Sequence, residues 1–210
     1  MIIAFGNQKG GAGKTTLCTL LANYLSIEKN APVLVLDMDV QQSLVNLRQR
    51  DAAQHPEDMP YPIQKMHLTD YAQYRSQLNS TEAFILIDLP GTLNDEGMRN
   101  ILHDADYIIC PFRYDFISVV STLDFTDVVE VYAPSKTSNR EIFYIPNIVK
   151  AQVNYDQLQK TNDLLSETGI VTASIADRIS LQRIRTNTIT SEQKEIVEAT
   201  FGFIYNHFQA

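Results

Sequence analysis

The sequence predicts an α/β protein in three layers, a mostly parallel sheet flanked by helices. Two observations carry this. Short unbroken apolar runs (IIAF, VLVL, FILI, YIIC, IFYI) recur along the 210 residues, and helical patterns separate them. Strands that read as continuous apolar runs are buried on both faces, and strand–helix alternation covers a parallel sheet on both sides. The composition agrees: 44% apolar and 20% charged residues suit a folded globular chain. One domain over residues 1–210 is expected.

Each element has its own justification. Residues 2–6 end an apolar run in Gly6 and read as a buried strand. Apolar positions at helical spacing mark 15–29 as a helix, closed by Asn30, Ala31 and Pro32. A strand at 33–36 and a helix at 41–50 follow. The three prolines of 51–62 predict a surface loop. A short strand at 63–67, a polar helix at 70–78 and a strand at 84–88 come next, then the turn Leu89-Pro90-Gly91. Helices near 94–103, 117–132 and 154–168 lead into strands at 107–110, 142–145 and 170–175. A helix over 192–208, packed on the sheet, ends the chain.

Charge and composition exclude several classes. Seventeen basic against 25 acidic side chains leave a net charge of −8, a poor basis for general nucleic-acid binding, though a local basic patch fits. Cys18 and Cys110 are too few for a disulfide scaffold, show no zinc spacing and read as small buried apolar residues. No apolar run approaches the ~20 residues of a membrane span. The first residues lack a basic n-region and an adequate apolar stretch, so no signal peptide and a cytoplasmic location are expected.

The strongest chemical signal is Lys9-Gly10-Gly11-Ala12-Gly13-Lys14-Thr15-Thr16, between a strand and a helix. Glycines let backbone N–H groups reach phosphate oxygens, and the helix N-terminus adds positive potential. Lys14 suits the β- and γ-phosphates of a nucleotide, and the Thr15 hydroxyl suits Mg²⁺. Gly10, Gly11, Ala12, Gly13, Lys14, Thr15 and Thr16 are therefore the candidate phosphate site. The usual GxxxxGK[ST] spacing would put a glycine where Gln8 stands, and an extra lysine, Lys9, sits beside it. Asp37 and Asp39 follow a strand, at the crevice where α/β sheets bind ligands. FILID ends a third apolar strand in Asp88.

The KGGxGKTT string resembles the deviant Walker A motif of the ParA/MinD family of ATPases, closest to short ParA-type partition ATPases. The matches run from Met1 to about Arg185 and include PFRYDFISVVST (111–122). The resemblance implies a P-loop NTPase fold that binds ATP and Mg²⁺ and forms a homodimer in the ATP state. Lys9 would reach the partner's nucleotide, Asp39 would orient the attacking water, and Asp37 would act in the metal's water shell. Asp88 would hold Mg²⁺ through water, Pro90 and Gly91 would form the second switch, and Asn147 would meet adenine. The family pattern DxDPQ has Val40 in place of its proline, which alters the loop more than the chemistry. SIADRISLQR (174–183) resembles the adenine-side loop without its usual proline.

The resemblance also frames the task. Slow ATP hydrolysis would partition plasmid or chromosomal DNA through non-specific DNA binding, with a ParB-like activating partner. Arg178, Arg183 and Arg185 form the candidate DNA contact, because no acid lies between Asp177 and Glu192. The acidic start of the last helix argues against membrane attachment. No helix-turn-helix precedes the first strand, so operator recognition would fall to a partner. A ParA-like ATPase that positions a protein complex or regulates conjugative transfer is the alternative. A metabolic enzyme related to dethiobiotin synthetase is a third, and it has no need of Lys9.

Overall fold

Seven short strands, nearly continuous in apolar side chains, build the centre of the molecule. The computed structural model describes residues 1–92, 96–134, 140–150 and 155–209. The expected helix starts at 94 and 154 lie outside the described residues. The strands are β1 (Ile2–Phe5), β2 (Val33–Asp37), β3 (Ile63–Lys65), β4 (Phe84–Asp88), β5 (Tyr107–Phe112), β6 (Glu141–Pro146) and β7 (Ile170–Val171). They form one sheet in the order β3-β2-β4-β1-β5-β6-β7. Every pairing is parallel.

The helices are α1 (Lys14–Asn23), α2 (Ser43–Gln54), α3 (Tyr71–Asn79), α4 (Glu96–Asp104), α5 (Phe116–Tyr132), α6 (Tyr155–Ser166), α7 (Ile179–Gln182) and α8 (Ser191–Phe208). Alternation along β1 explains the layers. Ile2 and Ala4 face a core with Met98, Ile101, Phe125 and Leu165 of α4, α5 and α6. Ile3 and Phe5 face a second core with Leu17, Leu44, Leu181 and Phe201 of α1, α2, α7 and α8. The terminal helix thus packs on the sheet as its apolar positions predict. Cys18 and Cys110 are free thiols with no exposure.

Several boundaries differ from expectation, β3 ending at Lys65 and β5 running on to Phe112 among them. Helix α2 runs on to Gln54, so the 51–62 segment is not all loop: Asp51 is buried inside the last turn and Tyr61 is buried too. The helical geometry of the first helix gives way to a π-turn over Tyr24–Glu28. The predicted 170–175 strand is regular only over Ile170–Val171, although the Thr172 and Ile175 amides still donate to the Tyr144 and Pro146 carbonyls of β6.

The order of strands sets the position of the site. The chain leaves β1 toward β2 on one side and later toward β5 on the other, so the crevice opens at the carboxyl ends of the central strands. Register levels those ends: Asp88 lies beside both Phe5 and Asp37.

Candidate functional site

The loop from Gly6 to Gly13 rises from β1 into α1. The Gly6 amide donates to the Ile109 carbonyl at 3.0 Å, which extends the sheet beyond Phe5. A Cβ on Gly6 would fall 2.1 Å from Phe125 Cζ, so only hydrogen fits there. Gly11 and Gly13 take φ of 75° and 99°, the left-handed region that side chains disfavour. Gly13 is the N-cap of α1, and no side chain caps the helix. Its first amides are free to meet an anion.

Beneath the loop lies Asn7, which the sequence did not single out. Its Nδ2 donates to the Pro111 carbonyl at 2.8 Å and to Thr122 Oγ1 at 2.9 Å. Its Oδ1 accepts the Lys9 amide at 2.9 Å, and its carbonyl accepts Lys14 Nζ at 3.2 Å. One buried amide thus ties both lysines of the motif to β5 and α5. The only signal for it is adjacency to the motif, because its side-chain partners lie more than 100 residues away.

The acidic residues converge beside α1. Thr15 Oγ1 donates to Asp88 Oδ2 at 2.8 Å. Asp88 has no exposure, and its Oδ1 has no hydrogen-bond partner among the described residues. Burial pushes its carboxyl up to about 7; the Thr15 hydrogen bond and Lys14 oppose the shift, and the charges of Asp37 and Asp39 add to it. Asp37 is also raised by burial, against hydrogen bonds from Val45, Asp39 and Leu44. Its Oδ2 accepts the Leu44 and Val45 amides at 2.9 and 3.0 Å, and its Oδ1 accepts the Asp39 amide at 3.3 Å. Asp37 therefore caps α2 as well as facing Asp88. Asp39 is half-buried and accepts the Gln41 amide at 2.9 Å.

A cavity of about 680 Å³ opens between these parts, lined by Gly10, Gly11, Gly13, Lys14, Thr15, Thr16, Asp39 and Gly91 among others. A Cβ on Gly91 would stand 3.8 Å from Lys14 Nζ, which places the Leu89-Pro90-Gly91 turn over the lysine. The donors are hydroxyl and carboxylate oxygens, the set that suits Mg²⁺, and the lone Asp88 oxygen gives such a cation a reason to be there. Among the described residues no cluster of three or more His, Cys, Asp or Glu could ligate a metal alone. A cation here would take part of its shell from phosphate and water.

Beyond Gly13 and Thr16 the cavity continues into a smaller one of about 110 Å³, lined by Asn147, Ile148, Ala176, Asp177, Arg178, Leu181 and Gln182. Its shape and place suit a base. Asn147 is buried, and its Nδ2 donates to the Ala12 carbonyl at 2.9 Å, so it clamps the phosphate loop from the base side. Ile148, in the wall of this pocket, holds φ of 56°, a strained value for a β-branched residue. Arg178 edges this pocket, apart from Arg183 and Arg185, which do not line it.

A protein-family model described as the CobQ/CobB/MinD/ParA nucleotide binding domain matches residues 3–202. A search of curated proteins finds no match. Among solved structures, a plasmid partition protein of Borrelia burgdorferi B31 bound to AMPPNP superposes with a TM-score of 0.73 at 21% identity, covering 100% of this chain and 99% of that one. Cobyrinic acid a,c-diamide synthase of Mycobacterium smegmatis with an ATP analogue and magnesium gives 0.76 at 17% identity, over 100% and 95% of the two chains. The MinC:MinD cell division complex of Aquifex aeolicus gives 0.72 at 15% identity, over 100% and 96%.

Proposed function

Because the chain belongs to the CobQ/CobB/MinD/ParA nucleotide-binding family, we propose that it is a ParA-type ATPase, a single-domain switch that dimerises on ATP and hydrolyses it slowly to partition DNA. The observation that carries the ATPase reading is the Thr15–Asp88 pair with its unpartnered carboxylate oxygen beside the glycine loop. ATP would enter with its phosphates against the amides of Gly10 to Thr16 and Lys14, its base toward Asn147. Thr15 and Asp88 would hold Mg²⁺, with Asp37 behind them. The cation would neutralise charge on the transferring phosphoryl group. Asp39, at the mouth of the cleft, would orient the attacking water.

Two features support the dimer. Lys9 is half-buried at the rim, anchored through its amide and not through its charge. Phe116 and Ile117 are 79% and 62% exposed at the start of α5, which follows the same edge of the sheet as the phosphate loop. Large apolar side chains left in water at such an edge suit a protein contact. Lys9 would then stabilise phosphoryl charge in trans. The synthase resembled above shares the fold, so fold alone does not separate a switch from a metabolic enzyme. The extra lysine favours the switch. Cytoplasmic action on non-specific DNA, with a ParB-like activator, completes the reading.

Light scattering after gel filtration tests it. Wild type dimerises with ATP and not with ADP. Lys9→Ala stays monomeric, while its nucleotide Kd moves by less than about tenfold, 1.4 kcal/mol. Asp39→Ala retains nucleotide and loses on the order of 100-fold in phosphate release. A Lys9→Ala protein that still dimerises with ATP removes the in-trans role.

A further inference from the structure

The glycine loop has little of its own to hold it. From Gly10 to Gly13 it carries no polar side chain, so its height over the sheet is set from its two ends. Asn147 holds the far end through the Ala12 carbonyl at 2.9 Å. Asn7 holds the near end, and its buried amide is not free to turn over. Pro111 offers it only a carbonyl and Lys9 only an N–H, so Nδ2 must face the first and Oδ1 the second.

The remaining Nδ2 hydrogen goes to Thr122 Oγ1 at 2.9 Å. That hydroxyl gives its own proton to the Ser118 carbonyl at 2.8 Å, which leaves its lone pairs for Asn7. Ser118 is fixed in turn. Its amide donates to Asp115 Oδ1 at 3.0 Å, and its Oγ accepts the Arg113 amide at 2.9 Å. Ser118 and Thr122 have no exposure. A chain of hydrogen bonds therefore runs from the N-cap of α5, through buried side chains, to the amide beneath Lys9. Away from water, each such bond is costly to leave unmade. Without the Thr122 hydroxyl, one Asn7 N–H is unpaired, and rotation toward another acceptor carries Oδ1 away from the Lys9 amide. Lys9 then loses its anchor, and the turn that presents the Asn7 carbonyl to Lys14 Nζ at 3.2 Å loosens.

We propose that Thr122 and Asn7 are positioning residues for phosphoryl transfer: the Thr122 hydroxyl locks the Asn7 amide, and the locked amide sets where Lys9 and Lys14 stand relative to the γ-phosphate. The proposal rests on the ATPase reading above and adds two residues beneath the loop on which its rate depends. A small misplacement costs a reaction more than it costs binding, because reacting groups need near-attack geometry while several loop amides share the phosphate contacts. The effect therefore falls on kcat and spares affinity.

The test follows phosphate release at saturating ATP and Mg²⁺, AMPPNP affinity by calorimetry and the thermal midpoint, all on the full chain. Thr122→Val keeps the shape without the hydroxyl and lowers kcat on the order of 10- to 100-fold. Its AMPPNP Kd moves by less than about threefold. Thr122→Ser keeps the hydroxyl and returns kcat to within about threefold of wild type. Thr126→Val is the control. The Thr126 hydroxyl is buried one turn further along α5, but it meets the Thr122 carbonyl and Tyr144 Oη, at 2.9 and 2.8 Å. Its loss lowers the thermal midpoint and leaves kcat unchanged. Asn7→Ala reaches the same joint without disturbing α5 and is at least as slow as Thr122→Val. Adding Thr122→Val to Asn7→Ala slows it no further, because Thr122 acts through the amide. Wild-type kcat in Thr122→Val overturns the proposal. A Thr122→Ser protein as slow as Thr122→Val also overturns it, by assigning the loss to packing. Equal losses in Thr126→Val and Thr122→Val do the same, since helix stability then sets the rate. Absence of ATP hydrolysis by wild type overturns the ATPase reading itself.

Discussion

An aspartate sealed from water with one oxygen unpaired strains the fold that holds it. Asp88 is such a group, and its carboxyl is pushed from 3.8 to about 7. Between those two pH values the folded chain keeps a proton that the unfolded chain releases. Stability contributed by this group is therefore lost as pH rises through that window. Without nucleotide or Mg²⁺, the urea midpoint of wild type should fall relative to Asp88→Asn from pH 4 to pH 7, then run parallel above it. Parallel curves throughout would show the carboxyl to be unstrained. Gly6 offers a steric counterpart. Gly6→Ala drives a methyl into the Phe125 ring and should cost about 1–3 kcal/mol in chemical denaturation, recovered in part by Phe125→Leu. Asp88 was legible because an apolar strand ran straight into it. Its lone oxygen was not, since that depends on what β1, β2 and α1 bring alongside. Asn7 was invisible for the same reason: its partners, Pro111 and Thr122, come from a distant strand and helix.

At the scale of elements, α8 shows what local sequence can decide. Thr190 accepts the Gln193 amide, and the Gln193 side chain accepts the Thr190 amide, a closed capping box. Thr190→Ala should remove about 1 kcal/mol of stability, read as a lower thermal midpoint with unchanged nucleotide affinity. β1, β2 and β4 were legible nearly to the residue, because an unbroken apolar run marks a strand buried on both faces, whereas β5 runs two residues past its predicted end. Helix α2 was not. Pro56, Pro60 and Pro62 dominate the 51–62 stretch, but Asp51 to Gln54 precede them and stay helical. What holds Asp51 inside is Thr186, a partner 135 residues away that no local pattern announces. β7 was overread because Thr172 and Ile175 still donate to Tyr144 and Pro146 of β6, while Ala173 and Ser174 between them leave the ladder.

For the whole molecule, the reversal of strand order is the decisive feature. It brings the ends of β1, β2 and β4 level, so one crevice receives the glycine loop, Asp37, Asp39 and Asp88. The same arrangement has a consequence for how the chain is made. β1 leaves the ribosome before the six strands that follow it and stands at the centre of the sheet. Phe5 must wait for Leu89, and Ile2 for Asp106, before either carbonyl has its hydrogen-bonding partner. At translation speeds of about 5–20 residues per second, that wait is on the order of ten seconds. During it, an apolar strand with two open edges stands unprotected. Arrested nascent chains that expose β1 without β4 should stay open to protease and bind chaperones. Those that also expose β4 and β5 should become resistant, so β1 would be secured only after β2, β3 and β4, which follow it in the chain.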